Sequence, residues 1–196
     1  MAVIYKAALD QLFLAARSHS DFKREALPDE TWRDLYAVLK HGPTSLNCAP
    51  AEFLFLVSDA AKDRLEPHLS KGNWHKCRTA AAVVVIGYDT DFITKMDGRF
   101  PGVPQLTAMF KDPPPGKFDL MAFRNGNLQG AYLMLAARAL GLDCGPMSGF
   151  NNAGVDAEFF AGTAIKSDFL CCLGHAVDVL PPRGPRPPFE EVCKIL

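Results

Sequence analysis

Between Arg124 and Arg138 the chain carries no charge, and Ala131 to Ala137 is apolar without a break. An amphipathic surface helix would place a polar residue every few positions, so this pattern predicts a helix buried on most of its circumference. It is shorter than the roughly 20 apolar residues a membrane crossing takes. Gly126 and Gly130 lie one turn apart on one face, each costing about 1 kcal/mol against alanine inside a helix. That cost predicts close approach of another helix. Gly141 fits the C′ position that ends the helix. Leu142 to Cys144 then leads into Gly145-Pro146-Met147-Ser148-Gly149-Phe150, expected to be a loop whose backbone N–H groups can approach a flat ligand.

The remaining patterns are shorter. Residues 5–17 read as a helix with Leu9, Leu12, Phe13 and Ala16 on one stripe. Leu27-Pro28-Asp29-Glu30 opens a second helix, with acids in its positive first turn and Trp32, Leu35, Tyr36 and Leu39 on its buried face. Ala51–Val57 reads as a strand and residues 60–69 as a short amphipathic helix. Thr79–Tyr88 is a continuous apolar, largely β-branched run, the mark of a central strand covered on both faces. A short helix over residues 152–162, with Phe159 and Phe160 inward, and a strand over 167–177 follow. Residues 89–117, with Phe92, Met96, Phe100, Met109, Phe110 and the break Pro113-Pro114-Pro115-Gly116, predict a short helical or irregular excursion forming a lid or pocket wall, because a free linker would not hold so many aromatics.

The elements alternate without a regular βαβ cadence. There is no G-x-G-x-x-G after a strand and no phosphate-binding G-x-x-x-x-G-K-[ST]. Neither a G-x-S-x-G elbow nor an H-E-x-x-H pair occurs. At 196 residues the chain suits one domain, residues 1–196, that can pair with a copy of itself. A net charge of −1 leaves no global electrostatic case for nucleic acid or an acidic membrane. Six cysteines include no C-x-x-C pair, and adjacent Cys171 and Cys172 read as buried thiols rather than a disulfide framework. No His/Cys set has metal-ligand spacing, so no metal is expected. The N-terminus enters a helical pattern directly, with no signal peptide, so the expected location is cytoplasmic.

Three polar clusters are open to two readings each. Arg17-Ser18-His19-Ser20, at a helix end, offsets the helix dipole or binds an anion. Pro43-Thr44-Ser45-Leu46-Asn47-Cys48-Ala49-Pro50 is a rigid connection or a polar shelf under a ligand. The proline-stiffened tail with Arg183 and Arg186 is a solvated extension or a basic pair.

Taken together, these segments resemble the nitroreductase family of FMN-dependent flavoproteins, and within it the malonic semialdehyde reductase subgroup of pyrimidine degradation. The residues that carry the resemblance are Ala16–His19, Gly42–Cys48, Ser70–Asn73, Ala122–Asn125, Arg138–Asp143 and, above all, Gly145–Phe150. Phe22, where that subgroup carries Trp, and the stretch between Tyr88 and Lys117 depart from the pattern.

The resemblance implies an α+β fold, with a central mixed or antiparallel sheet flanked by helices, and a homodimer with FMN at the subunit interface. It assigns cofactor contacts to Arg17, Ser18 and His19, with Arg17 at the phosphate or the flavin edge. Pro43, Thr44, Ser45 and Asn47 lie under the ribityl chain and ring, and Asn73 and Lys76 at the pyrimidine edge. The backbone of Pro146, Met147, Ser148 and Gly149 faces flavin N5, and Arg183 and Arg186 hold the phosphate. It implies that NADPH or NADH reduces the flavin, which passes a hydride to a small aldehyde acid such as malonic semialdehyde. His19 or water would supply the proton, and Arg17 and Arg124 could hold the substrate carboxylate. A broad nitro- or quinone-reducing enzyme and a non-enzymatic flavin-binding protein are the alternatives.

Overall fold

The computed structural model describes residues 3–97, 99, 105–110, 114 and 116–196, without the side chains of residues 106 and 109. Phe100, Pro113, Pro115 and the Met109 side chain, invoked above, lie outside that description.

Strands β1 (Ala51–Leu56), β2 (Ala82–Asp89), β3 (Asp143–Met147) and β4 (Ile165–Gly174) form one sheet in the order β1-β2-β4-β3, and every pairing is antiparallel. The central position of β2 follows from its composition: a run of β-branched side chains can be buried on both faces, and Val83 to Ile86 are fully enclosed. Between the pairs Ile86–Phe169 and Gly87–Ser167 the register shifts, leaving Asp168 as the extra residue of a β-bulge.

One face of the sheet is covered by helix α5 (Lys117–Ala139), with α2 (Asp29–Leu39) behind it. There Trp32, Leu35 and Leu39 meet Leu133, Ala136, Val84 and Ile86. The other face packs against α3 (Asp59–Leu65), α4 (Trp74–Thr79) and α6 (Asn152–Phe159), through Leu65, Cys77 and Val155 on Val83 and Val85. A third, smaller cluster joins Phe92, Met96, Cys48 and Ala122, with Phe110 and Phe118 alongside. Among the described aromatics of the excursion, Phe92 is therefore a core residue and Phe110 packs against that cluster.

Several expectations change. The close approach at Gly126 and Gly130 is to the sheet, not to a helix. A β-carbon on Gly126 would lie 2.9 Å from Tyr88 Cβ, and one on Gly130 2.5 Å from the Phe169 ring. Helix α5 is also not buried all round, since Leu120, Phe123 and Leu128 stand exposed on its outer side. Exposed Arg124 lies among them, so this side of the helix is mixed rather than apolar. The first helix is α1 (Lys6–Leu9), continued by one π-helical turn, Asp10–Leu14; it stops short of Arg17 and leaves Phe13 exposed. Tyr36 is half exposed. Gly145, Pro146 and Met147 are not loop but part of edge strand β3, where a proline costs no ladder bond on the open side. Thr79 closes α4, which the sequence reading missed, and β2 starts only at Ala82. Phe160 is buried, whereas Phe159 is half-buried beneath the Arg64 guanidinium, 4.8 Å from its ring centre.

Candidate functional site

The segment after the first helix runs beside β3. Ser18 bridges to Cys144 in parallel, and the His19 N–H donates to the Cys144 carbonyl at 3.0 Å. This places Arg17, Ser18 and His19 along the open edge of the sheet.

Four guanidinium groups converge there. Arg17, Arg138, Arg183 and Arg186 line one cavity of about 360 Å³ with Phe13, Ala16, Ser18 and Gly184. Each is anchored to backbone carbonyls. Arg17 Nη2 donates to Pro181 at 2.8 Å, and Arg138 Nη1 to Leu12 at 2.9 Å. Arg183 Nη2 donates to Leu14 at 3.0 Å and to Ala16, and Arg186 Nη1 to Gly184 at 3.1 Å. Among the described residues none of the four makes a salt bridge. The buried Arg138 Nε also has no hydrogen-bond partner. Convergent positive charge is the chemistry of an anion site, and guanidinium forks match phosphate oxygens two at a time. The predicted Arg17, Arg183 and Arg186 are thus brought together. Arg138 was not singled out as a site residue; its sequence signals are that it is the charge closing the run and that it opens the Arg138–Asp143 segment of the family resemblance.

His19 is held differently from a free proton donor. Its Nδ1 lies 2.7 Å from Asp178 Oδ1 and its Nε2 3.6 Å from Asp143 Oδ1, so both ring nitrogens face carboxylates. Burial opposes ionisation of Asp178, but bonds from the Ser20 N–H and the His19 ring outweigh it and hold this carboxyl below its ordinary range.

Following β3, Ser148 is exposed and Gly149 meets the start of α4. The Gly149 carbonyl accepts from the Ser70 N–H at 2.9 Å and from Asn73 Nδ2 at 2.8 Å. A β-carbon at Gly149 would sit 2.7 Å from that amide nitrogen, so only glycine permits the contact. Lys76 follows three residues after Asn73, on the same side of α4 and half-buried. The Met147 side chain points into the core, which leaves only its backbone for a ligand.

Pro43, Thr44, Ser45 and Asn47 form a second group. They enter β1, the opposite edge of the sheet, three interstrand steps from β3, a span on the order of 14 Å. A single 3₁₀ turn, Ser45–Asn47, forms here. Its flanks are held by two buried amides of α5: Asn125 Oδ1 accepts the Ser45 N–H at 2.8 Å, and Gln129 Oε1 the Ala51 N–H at 2.9 Å. Neither amide was predicted, although two amides one turn apart on an apolar helix must find partners. Arg124, just before Asn125, is exposed.

Comparison with known proteins bears on the family and the fold. The sequence profile of the nitroreductase family matches residues 14–175. A Caulobacter vibrioides protein provisionally named NADH dehydrogenase/NAD(P)H nitroreductase is 50% identical over 197 residues, covering 100% of both chains. A Ralstonia pickettii protein of the same provisional name is 47% identical, covering 96% of this chain and 97% of its own. Among solved structures, a provisionally named nitroreductase of Exiguobacterium sibiricum in complex with FMN superposes with a TM-score of 0.86 at 21% identity, over 100% of this chain and 99% of that one.

Proposed function

The chain belongs to the nitroreductase family, and we propose that it is an FMN-dependent oxidoreductase that uses NADPH or NADH to reduce a small aldehyde acid, malonic semialdehyde to 3-hydroxypropanoate. The observation that carries the cofactor assignment is the cavity in which Arg17, Arg138, Arg183 and Arg186 converge without a carboxylate. A flavin phosphate satisfies that charge. When bound, FMN supplies the centre that accepts hydride from the nicotinamide and delivers it to the substrate carbonyl. The chain's own residues bind and orient. The arginines hold the phosphate end. The backbone of Pro146 to Gly149, fixed by Ser70 and Asn73, borders the ring, and Lys76 places positive charge beside its pyrimidine edge.

The two groups of cofactor residues lie at opposite edges of a sheet whose faces are both covered by helices, so the direct route between them within one chain is blocked and a second copy supplying the Pro43–Asn47 turn would complete the site. This favours a homodimer with two composite sites, and the exposed Leu120, Phe123 and Leu128 offer apolar contacts for it.

Arg17 is committed to the phosphate group, so exposed Arg124 is the guanidinium left for a substrate carboxylate. Because His19 is engaged by Asp178 and Asp143, water is the simpler source of the carbonyl proton. The test compares kcat/KM for malonic semialdehyde, propanal and a benzoquinone with each nicotinamide. The proposal expects the acid to react much faster than propanal. A large advantage for the quinone moves the assignment to a broad nitro- or quinone-reducing enzyme. A yellow protein that NADPH and NADH both fail to bleach is a flavin-binding protein instead.

A further inference from the structure

We propose that Arg99 is a positioning residue that locks the Pro43–Pro50 turn in its ligand-facing conformation. The inference rests on the assignment of that turn to the flavin site and concerns a residue with no role in that assignment.

The turn is strained. Leu46 and Asn47 have φ of 53° and Ala49 of 38°, all in the left-handed region that non-glycine residues seldom adopt. Such residues persist only where their surroundings over-determine them. Asn125 and Gln129 hold the flanks through the N–H groups of Ser45 and Ala51. The middle is held from elsewhere. Arg99 Nη1 donates to the Cys48 carbonyl at 2.6 Å and lies 3.4 Å from that of Ala49, while Asn47 Nδ2 donates back to the Arg99 carbonyl at 2.8 Å.

The peptide joining Cys48 to Ala49 is therefore clamped on both sides. In a trans peptide the C=O and N–H point in opposite directions. Here the C=O is taken by the guanidinium and the Ala49 N–H by Thr44 Oγ1 at 3.1 Å. Fixing that plane fixes the left-handed residues beside it and keeps Ser45, Leu46 and Asn47 facing outward, where they are exposed. The donor is charged, and charge-assisted bonds to carbonyls are about twice as strong as neutral ones. Arg99 also lines, with Asn47, Ala49, Glu52 and Gln129, a cavity of about 540 Å³ beside β1.

The experiment pairs amide hydrogen exchange with FMN titration for the parent, Arg99→Ala and Arg99→Lys. For Arg99→Ala we expect exchange at the Cys48 and Ala49 amides to rise about tenfold while that in β2 stays as in the parent, and the FMN Kd to rise about tenfold. Arg99→Lys, which keeps one charged donor, should fall between. Faster exchange with an unchanged Kd overturns the cofactor role. Exchange that rises equally in β2 overturns it too, because Arg99 would then be a general stabiliser. A parent that binds no FMN sinks the flavin assignment and this inference with it. If Arg99→Ala does not fold, Arg99→Gln, with a neutral donor, replaces it under the same criteria.

Discussion

Asn125 Oδ1 accepts the Ser45 N–H at 2.8 Å, joining helix α5 to the polar turn at the far edge of its sheet. The amide's own Nδ2 donates to the Met121 carbonyl at 2.8 Å, so both ends of this 3%-exposed side chain are used. Asn125→Ala leaves a part-buried backbone N–H without its acceptor, an expected loss of about 2 kcal/mol. Urea unfolding should show a lower midpoint at an unchanged m-value, together with weaker FMN binding.

Arg186 and Lys76 should separate cofactor affinity from cofactor potential. Among the described residues Arg186 donates only to its own loop, at Gly184 and Pro185, and is therefore available to a phosphate. Arg186→Ala is expected to cost about 1.5–3 kcal/mol of FMN binding, tenfold or more in Kd. Lys76→Ala should leave the Kd nearer the parent's and make the flavin's reduction potential more negative, since a cation beside the reduced, anionic ring is lost. Spectroelectrochemistry of the two variants tests this, and equal FMN affinity in Arg186→Ala and the parent rules out the tail as phosphate ligand.

Asp168, the extra residue of the β4 bulge, should govern part of the pH dependence of stability. Burial alone pushes its carboxyl up to about 6, and its Oδ2 has no hydrogen-bond partner. The unfolded carboxyl titrates near 4, so between about pH 4 and 6 the folded state holds a proton that the unfolded state has released. The contribution of this group to stability is therefore complete below about pH 4 and is lost as pH rises towards 6. Asp168→Asn should be more stable than the parent at pH 7, by about 1–2 kcal/mol after allowing for partial solvent screening, with the difference vanishing near pH 4. Thermal unfolding of both proteins across this range measures it. A constant difference at all pH values would exclude titration as its source.

The outer face of α5 should be where two copies meet. Leu128 is 45% exposed, close to Phe123 at 43% and Leu120 at 48%. Leu128→Glu is expected to shift the protein from dimer to monomer in sedimentation velocity and to strip its FMN in the same step. A monomer that keeps FMN would mean that one chain completes the site.

Much of the fold can be read from the pattern of residues. The run at Val83 to Ile86 announces a strand enclosed on both faces, and Pro28-Asp29-Glu30 a helix start, because hydrophobic burial and dipole effects act within an element and leave their period in the chain. Gly141, at φ +82°, ends α5 where the pattern places it. Three polar clusters are also visible, Arg17–His19, Pro43–Asn47 and the Arg183/Arg186 tail, whereas Asn73 and Lys76 were placed only by the family resemblance.

What those clusters touch is another matter. The glycines of α5 announce a close neighbour without saying that it is the sheet, because a missing side chain makes room for any surface. Arg138 is a single charge in a long apolar run until the fold carries residues 17, 183 and 186 to it. Asn125, Gln129 and Arg99 reach a turn that is distant along the chain. By itself the sequence determined the central strand, the start of α2, the end of α5 and several of the polar segments, since these follow from local propensity and from burial, which is non-directional and repeats with the element. Only the tertiary structure decided which guanidinium groups share a cavity and which amides hold the turn, because hydrogen bonds and charge pairing demand distance and direction between groups whose separation along the chain carries no trace of either.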